Sequence, residues 1–174
     1  MEARTENERT ATKNRTTVER KSDREIVVTR TFNAPARIVF EAWTNAELFK
    51  QWWVPKSIGM ILVSCAMDVR TGGTYRLEFA VGNDRSKTMA FFGKYTDVIP
   101  PSRIVWTNEE DGDQGSVTTV TFEEKGGKTL VVVSELFPSK EAADVNGGAA
   151  DAAPEVHDQL DALLVTLVAS SGRS

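Results

Sequence analysis

The chain has 174 residues, of which 40% are hydrophobic and 26% charged, a balance that fits one globular domain with its own core. Its net charge of −4 and pI near 5.2 provide no basic surface, so we expect neither nucleic acid nor an anionic membrane as a partner. The single cysteine, Cys65, excludes an internal disulfide and a cysteine-rich zinc site.

Targeting signals are missing from the sequence. There is no signal-peptide pattern and no apolar run of about 18 residues. We therefore expect a cytoplasmic protein without a membrane span. Nothing in the residue pattern calls for a cofactor or a metal ion.

The first 23 residues form a separate compositional zone. Basic, acidic and threonine residues alternate there, and Val18 is the one large apolar residue after the initiator methionine. Such a segment buries too little surface to offset the entropy lost on ordering. We predict a disordered tail over residues 1–23, a single domain over residues 24–169, and a short flexible end over residues 170–174.

The domain begins with a strand and two short helices. Residues 25–32 alternate in polarity and predict a strand. Asn33 is the predicted N-cap of the first helix, with Pro35 in its opening turn and an apolar stripe behind it at helical spacing. Asn45 then restarts the chain as a second helix over residues 46–51, which ends at a tryptophan pair and a proline.

Six further strands and a long helix follow. Alternating segments with turn residues between them predict strands over residues 59–67, 74–80, 87–98, 103–107, 116–124 and 128–137. Connections this short join antiparallel strands. Residues 140–145 have a weak helical pattern. The last helix starts near residue 152 or 154 and runs to residue 168, with one apolar face. The fold class is α+β, a curved antiparallel sheet of about seven strands wrapped on a C-terminal helix.

Six short motifs give the chain a family resemblance: Phe32-Asn33-Ala34-Pro35, Val39-Phe40-Glu41-Ala42-Trp43-Thr44, Trp52-Trp53-Val54-Pro55, Asp68-Val69-Arg70-Thr71-Gly72-Gly73, Pro101-Ser102-Arg103-Ile104-Val105-Trp106 and Leu160-Asp161-Ala162-Leu163-Leu164. With the order of elements, they resemble the SRPBCC superfamily (START-like, helix-grip, birch-pollen-allergen type). Within it the chain is similar to the branch of homologues of the activator of the heat-shock ATPase. The likeness covers about residues 24–168.

The resemblance implies an apolar cavity between the sheet and the C-terminal helix. Two departures bear on the mouth of that cavity. Residues 146–153 are small and acidic where related chains carry bulkier side chains, and His157 stands where they commonly have an aromatic residue. The residues predicted to line the cavity combine large apolar side chains with two polar ones: Trp53, Met60, Met67, Phe79, Phe91, Trp106, Glu135, His157, Leu160 and Leu164.

Glu135 and His157 are the polar candidates. Alternation leaves open whether Glu135 faces solvent or follows Val131 and Val133 inward, where a carboxylate requires a partner or a raised pKa. His157 is the only histidine, and as a lone residue beside an apolar stripe it is read as structural or as a polar group of the cavity. Neither a metal site nor a nucleophilic triad has the residues it needs.

Three functions remain open on the sequence. The leading one is a binding domain for a small apolar or amphipathic molecule, without demonstrable catalytic residues. The first alternative is a cyclase-, aromatase- or hydrolase-like enzyme that uses Glu135 with His157 or Arg76. The second is a co-chaperone-like domain that contacts the heat-shock ATPase. A chaperone or a second copy of the chain is accordingly among the expected partners.

Overall fold

The computed structural model describes residues 16–81, 88–109 and 115–171. They form one curved antiparallel sheet of eight strands in the order β1-β2-β8-β7-β6-β5-β4-β3. The first long strand therefore pairs with the last, and each remaining strand pairs with its neighbour in sequence. The strands are β1 (Thr17–Arg20), β2 (Glu25–Phe32), β3 (Met60–Met67), β4 (Thr74–Val81), β5 (Met89–Ile99), β6 (Arg103–Thr107), β7 (Val117–Lys125) and β8 (Lys128–Leu136).

Among the described residues four α-helices accompany the sheet: α1 (Ala36–Thr44), α2 (Ala46–Phe49), α3 (Lys140–Asn146) and α4 (Ala153–Ser171). The predicted α+β class, antiparallel pairing and long C-terminal helix are confirmed. The helix ends three residues beyond the predicted boundary, at Ser171, so it enters the segment predicted to be a flexible end. Predictions for residues 1–15, for the turn at 82–85, for most of the acidic loop at 108–115 and for residues 172–174 fall wholly or partly outside the described residues.

Strand β1 corrects the predicted boundary of the tail. Residues Thr17–Arg20 pair with Ile26–Thr29 of β2 and make an eighth strand, although every side chain of β1 is exposed. The Arg20 guanidinium adds hydrogen bonds to the carbonyls of Ser22 and Asp23 in the connecting turn. Main-chain hydrogen bonds at the sheet edge hold this strand. Its side chains bury no apolar surface, so the apolar pattern of the sequence does not indicate it.

The start of α1 also differs from the prediction. Asn33 is not the N-cap: the capping position is Pro35, and no side chain of the segment itself caps the helix. Glu124 at the end of β7 instead accepts a hydrogen bond from the Ala36 backbone N–H at 2.9 Å. A carboxylate at a helix N-terminus satisfies a free donor and complements the helix dipole. At α2 the prediction is confirmed, because the Asn45 side chain accepts from the backbone N–H groups of Glu47 and Leu48.

The core lies between the inner face of the sheet and helices α1 and α4. We call inner face the one that carries the buried side chains Tyr75, Leu77 and Phe79 of β4. Phe32, Val39 and Leu160 are fully buried within this core. The predicted apolar stripe of α1 is buried throughout, with exposures of 8% or less.

Helix α4 is bound to the tryptophan segment by polar side chains. The Gln159 side-chain amide donates to the carbonyls of Trp52 and Val54, at 3.0 and 2.8 Å. Glu155 accepts from both the backbone N–H and the hydroxyl of Ser57, each at 2.7 Å. The loop after α2 is therefore fixed against the helix rather than free at the surface.

Candidate functional site

A pocket of about 40 Å³ opens on the inner face of the sheet, beside helices α1 and α2. By volume it has room for about three water molecules. Because Phe91 at its edge is 39% exposed, the pocket communicates with solvent. We call it the aromatic pocket. Its lining combines aromatic and apolar side chains with one amide: Trp43, Phe49, Trp53, Met67, Tyr75, Leu77, Phe91, Tyr95, Trp106 and Asn108.

Packed indole rings build the deep wall of the pocket. The Trp43 ring lies 5.7 Å from the Trp53 ring and 6.2 Å from the Trp106 ring, between centroids. Behind it Trp52 is fully buried, and its indole N–H donates to the Ala42 carbonyl at 3.0 Å. This bond between the tryptophan segment and the end of α1 holds the wall in place. Edge-to-face geometry between such rings adds to the stabilisation that burial provides.

A hydrogen-bonded chain forms the polar end of the pocket. The Tyr75 hydroxyl donates to the Thr107 carbonyl at 2.8 Å and lies 3.1 Å from the Asn108 side-chain oxygen. The Asn108 amide in turn donates to the Ser116 and Thr118 hydroxyls. The Ser116 hydroxyl donates to Glu135. The chain therefore connects the pocket to a carboxylate on β8 through Tyr75 of β4, Asn108 in the loop after β6 and Ser116 in the loop before β7.

Burial raises the pKa of two ionisable groups close to the pocket. Desolvation raises the pKa of Tyr95 well above its ordinary value, with smaller contributions from Cys65 and Asp68. Desolvation also raises the pKa of the Cys65 thiol, Lys50 opposing it and Glu47 reinforcing it. Both groups are accordingly neutral at pH 7, and the pocket surface carries no charge from them.

The structure brings four of the ten predicted residues together. Trp53, Met67, Phe91 and Trp106 line the pocket. Phe79 packs on Phe91 with centroids 4.9 Å apart, and Met60 pairs with Val81 further along the same face. These residues continue the pocket as an apolar strip along the sheet. We define the apolar strip as Met60, Phe79 and Met89, of which Met89 is 57% exposed.

Helix α4 does not line the pocket, which differs from the cavity implied between sheet and C-terminal helix. Leu160 and Leu164 are 0% and 2% exposed and pack into the core instead. Six lining residues were not predicted as site residues: Trp43, Phe49, Tyr75, Leu77, Tyr95 and Asn108. The sequence pattern places Trp43 in the apolar stripe of the first helix, and Tyr75 and Leu77 on one face of their strand. Strand alternation was the available signal for Tyr75 and Leu77, since both share a face with Phe79.

His157 lies in a second polar cluster, at the junction of α4 with β2. Its ring is 3% exposed, packs edge-on to Phe32, and has Nδ1 at 3.2 Å from the Thr16 hydroxyl. Beside it Arg30, 4% exposed, bonds Asp158 at 2.8 Å and Asp161 at 2.5 Å. Arg30 was not singled out in the sequence, because one charged residue in an alternating strand is usually solvated. Here it joins the first long strand to the last helix.

The pairings required for the enzyme alternative do not form. Glu135 pairs with Thr118 and Ile26 in the sheet, whereas His157 contacts Phe32, six residues along β2 from Ile26. At about 3.3 Å per residue this separates the two by roughly 20 Å. Arg76 alternates with Tyr75, so it projects from the outer face, where it bonds Glu78. Glu135 is four residues from the buried Val131 on the same strand, so both side chains lie on the inner face.

Comparison with known proteins agrees with this architecture. Residues 33–165 match the family model described as Activator of Hsp90 ATPase homolog 1-like protein. The chain belongs to this family. Through it the chain is a member of the SRPBCC superfamily, as its motifs predicted. No curated protein matches the chain significantly.

Solved structures of several bacterial proteins share the fold. A protein from Rhodobacter sphaeroides has a TM-score of 0.77 at 20% identity, covering 87% of this chain and 99% of its own. One from Staphylococcus epidermidis has 0.71 at 28% identity, covering 86% and 94%. An AHSA1-like protein from Aeromonas hydrophila has 0.66 at 21% identity, covering 80% and 93%.

Two further features, a metal-binding group and a membrane-spanning helix, are not found among the described residues. Across 16–81, 88–109 and 115–171, no three His, Cys, Asp or Glu side chains are grouped so as to hold a metal ion. Within the same ranges, no helix combines the length and apolar character needed to cross a membrane.

The His157 environment predicts a pH dependence of stability. Burial, followed by the charge of Arg30, lowers the pKa of His157 from 6.5 to about 4, while Asp158 opposes the shift. Between about pH 6.5 and pH 4 the His157 imidazole is therefore protonated in the unfolded chain but neutral in the folded one. The free energy of unfolding consequently falls as the pH falls through this range. Between pH 7.5 and 4.5 we expect wild type to lose about 2 kcal/mol more than His157→Gln in urea unfolding.

Equal losses in the two proteins over this pH range would contradict the prediction. Carboxylates that titrate in the same window contribute to both proteins, so the difference isolates the histidine. The comparison is informative provided that His157→Gln folds at pH 7.5, which far-ultraviolet circular dichroism checks.

Proposed function

We propose that this family member binds a small, uncharged, apolar or amphipathic molecule in the aromatic pocket. The observation that carries the proposal is an opening in the core that aromatic side chains line. Rings of Trp43, Trp53 and Trp106 surround this opening, which ends at the half-exposed Phe91. Binding sites for small molecules are typically apolar concavities with a few fixed polar groups, and Tyr75 and Asn108 supply such groups here.

The dimensions favour a ligand that extends from the pocket onto the apolar strip. The enclosed volume holds only a fragment, whereas Met89, 57% exposed, and the half-buried Met60 offer apolar surface further along the same face. Burying roughly 300 Å² of apolar ligand surface, at about 25 cal/mol/Å², corresponds to about 7 kcal/mol before the costs of association. Weak to micromolar affinity is the expected range.

A matched pair of variants on one strand tests the proposal. Phe91 and Phe92 are adjacent on β5 and each is 39% exposed, but Phe91 lines the pocket and Phe92 lies on the opposite face. With the neutral fluorescent probe N-phenyl-1-naphthylamine, we expect Phe91→Ala to weaken binding about fivefold, because a contact of about 1 kcal/mol is lost. Phe92→Ala is expected to bind as wild type does.

Two results would overturn the proposal. One is the absence of saturable probe binding by wild type. The other is an equal effect of the two substitutions, which would place the probe elsewhere on the sheet. Native mass spectrometry of the protein purified from its own host complements the titration, since a single co-purifying compound of apolar character identifies the ligand class directly.

The family description favours a second candidate function, contact with a chaperone ATPase. A steady-state ATPase assay of a ninety-kilodalton heat-shock protein, with and without this protein, tests it. Stimulation that Phe91→Ala leaves intact and Phe92→Ala abolishes would assign that contact to the outer face. No stimulation would remove this candidate and leave ligand binding unaffected.

A further inference from the structure

We propose that the Tyr95 hydroxyl selects among ligands of the aromatic pocket by donating its hydrogen to a neutral acceptor atom of the bound molecule. The inference rests on the proposed binding function and adds the class of ligand. That class is an uncharged, mainly apolar compound with a carbonyl or ether oxygen at the end that enters the pocket.

The polar atoms of the most buried lining residues lead to Tyr95. Of the lining residues that are at least nine-tenths buried, three carry a polar side-chain atom: Trp43, Tyr75 and Tyr95, which are 3%, 7% and 5% exposed. The Trp43 indole nitrogen is enclosed by its neighbours, so a ligand atom does not reach it. The Tyr75 hydroxyl has one hydrogen, which it donates to the Thr107 carbonyl. The Tyr95 hydroxyl remains as the buried donor for a ligand.

The Tyr95 oxygen is neither bonded within the protein nor enclosed by it. It makes no hydrogen bond with a residue of the ranges 16–81, 88–109 and 115–171. Buried side-chain atoms of those ranges that lack both a partner and accessible surface are Arg30 Nε and Trp43 Nε1, and the Tyr95 oxygen is not one of them. It therefore keeps accessible surface, and because Tyr95 lines the pocket this surface borders the opening. Buried hydroxyls nearly always have a partner, which a bound molecule can supply here.

Backbone bonds and ring packing hold this hydroxyl in place. The Tyr95 N–H donates to the Gly73 carbonyl, and the Tyr95 carbonyl accepts from the Gly72 N–H, both at 2.8 Å. These bonds join β5 to the turn between β3 and β4. The Tyr95 ring packs against that of Tyr75 with centroids 5.6 Å apart. A side chain fixed in this way loses little freedom when a ligand binds it, so more of the bond contributes to affinity.

The electrostatic surroundings favour a neutral acceptor. Desolvation is the main cause of the raised pKa of Tyr95, and the Asp68 carboxylate contributes after Cys65, so the charge of Asp68 acts on this hydroxyl. An anion bound there would be repelled by Asp68 and would find no counter-charge among the lining side chains. An ammonium group has no lone pair that could accept the hydrogen. A carbonyl or ether oxygen meets neither obstacle.

Carbon-13 magnetic resonance tests the inference on the wild-type protein, because the chain has two tyrosines. Labelling the phenol carbon Cζ gives two signals, which Tyr75→Phe and Tyr95→Phe assign. Acetophenone and α-methylstyrene have nearly the same size and planar shape, but acetophenone alone carries an oxygen acceptor. We expect acetophenone to move the Tyr95 signal downfield, as hydrogen-bond donation by a phenol does, and α-methylstyrene to cause no such shift.

The variant Tyr95→Phe isolates the hydroxyl, because it keeps the ring. We expect the ratio of dissociation constants, α-methylstyrene over acetophenone, to fall about fivefold through the loss of one hydrogen bond. The unfolding midpoint is expected to stay unchanged, since no protein group loses a partner. The matched control, Tyr75→Phe, deletes a hydroxyl that is engaged with Thr107. It is expected to lower the unfolding midpoint and to leave the ratio unchanged.

Each outcome supports or overturns a distinct statement. A downfield Tyr95 signal with acetophenone alone, together with a lower ratio in Tyr95→Phe alone, supports the inference. If N-phenyl-1-naphthylamine binds in the pocket but either effect is missing, the inference is overturned and the proposed function stands. If none of the three probes binds, the inference and the proposed function are overturned together.

Discussion

Replacing Trp52 with alanine is expected to lower the free energy of unfolding by about 4 kcal/mol, within the range of large-to-small substitutions of fully buried aromatic residues. Trp52 is 0% exposed and packs against the rings of Trp43, Phe49 and Trp53, with centroids 4.8 to 5.4 Å apart. The substitution also leaves the Ala42 carbonyl without its donor. Urea unfolding monitored by circular dichroism measures the loss.

The adjacent tryptophan provides the control for this substitution. Trp53 stacks on Phe49 with centroids 4.5 Å apart but is only partly buried and faces the pocket. We expect Trp53→Ala to cost about 2 kcal/mol, roughly half the effect at Trp52, because less apolar surface returns to water. A larger loss at Trp53 than at Trp52 would mean that the pocket wall, rather than the layer behind it, holds the helices on the sheet.

The second large effect is expected when Arg30 loses its acidic partners. The variant Asp158→Asn/Asp161→Asn keeps the Arg30 guanidinium 4% exposed and removes both countercharges. Leaving a buried charge unpaired costs about 3 kcal/mol or more. The Nε atom of Arg30 already lacks an acceptor among the described residues, so the remaining partner in this cluster would be the Thr16 hydroxyl.

Removing the arginine is expected to have the smaller effect. In Arg30→Met the carboxylates remain, but Asp158 is 72% exposed and Asp161 25%, so water can solvate them. We expect a loss of about 1 kcal/mol, since replacing a buried ion pair by an apolar side chain is often close to neutral. The triple variant should recover most of the stability lost by the double one. Equal losses for Arg30→Met and the double variant would indicate that the arginine stabilises mainly through its aliphatic packing.

Much of the fold was predictable from local pattern, and the exceptions have a common cause. The stripe of α1 and the alternation of β4 follow from periods of 3.6 and 2, which act within a few residues. Asn45 caps α2 through bonds to residues two and three positions on, so its role was also readable locally. Asn33 is not the cap because Glu124 accepts from the Ala36 backbone N–H instead, and Glu124 lies 88 residues beyond Ala36 in the chain.

The aromatic pocket was predictable only in part. Phe91 could be assigned to one strand face by alternation, and Met67, Trp53 and Trp106 were predicted as large apolar residues. Trp43 was assigned to the core because its helix stripe explains its burial. Only the position of β6 relative to α1 shows that Trp43 and Trp106 together line a pocket. Asn108 was missed for the same reason, since its partners lie on β7 and in the loop before it.

The sequence alone determined which residues are apolar on each strand and helix, and hence an antiparallel sheet with a helix packed on it. The tertiary structure decided which polar groups meet: Arg30 with Asp158 and Asp161, and Asn108 with Ser116. The physical reason is the range of the interactions. Burial of apolar surface is non-directional and leaves a periodic record in the chain. A hydrogen bond requires two atoms within about 3 Å, and that distance is set by how strands and helices far apart in sequence come to lie.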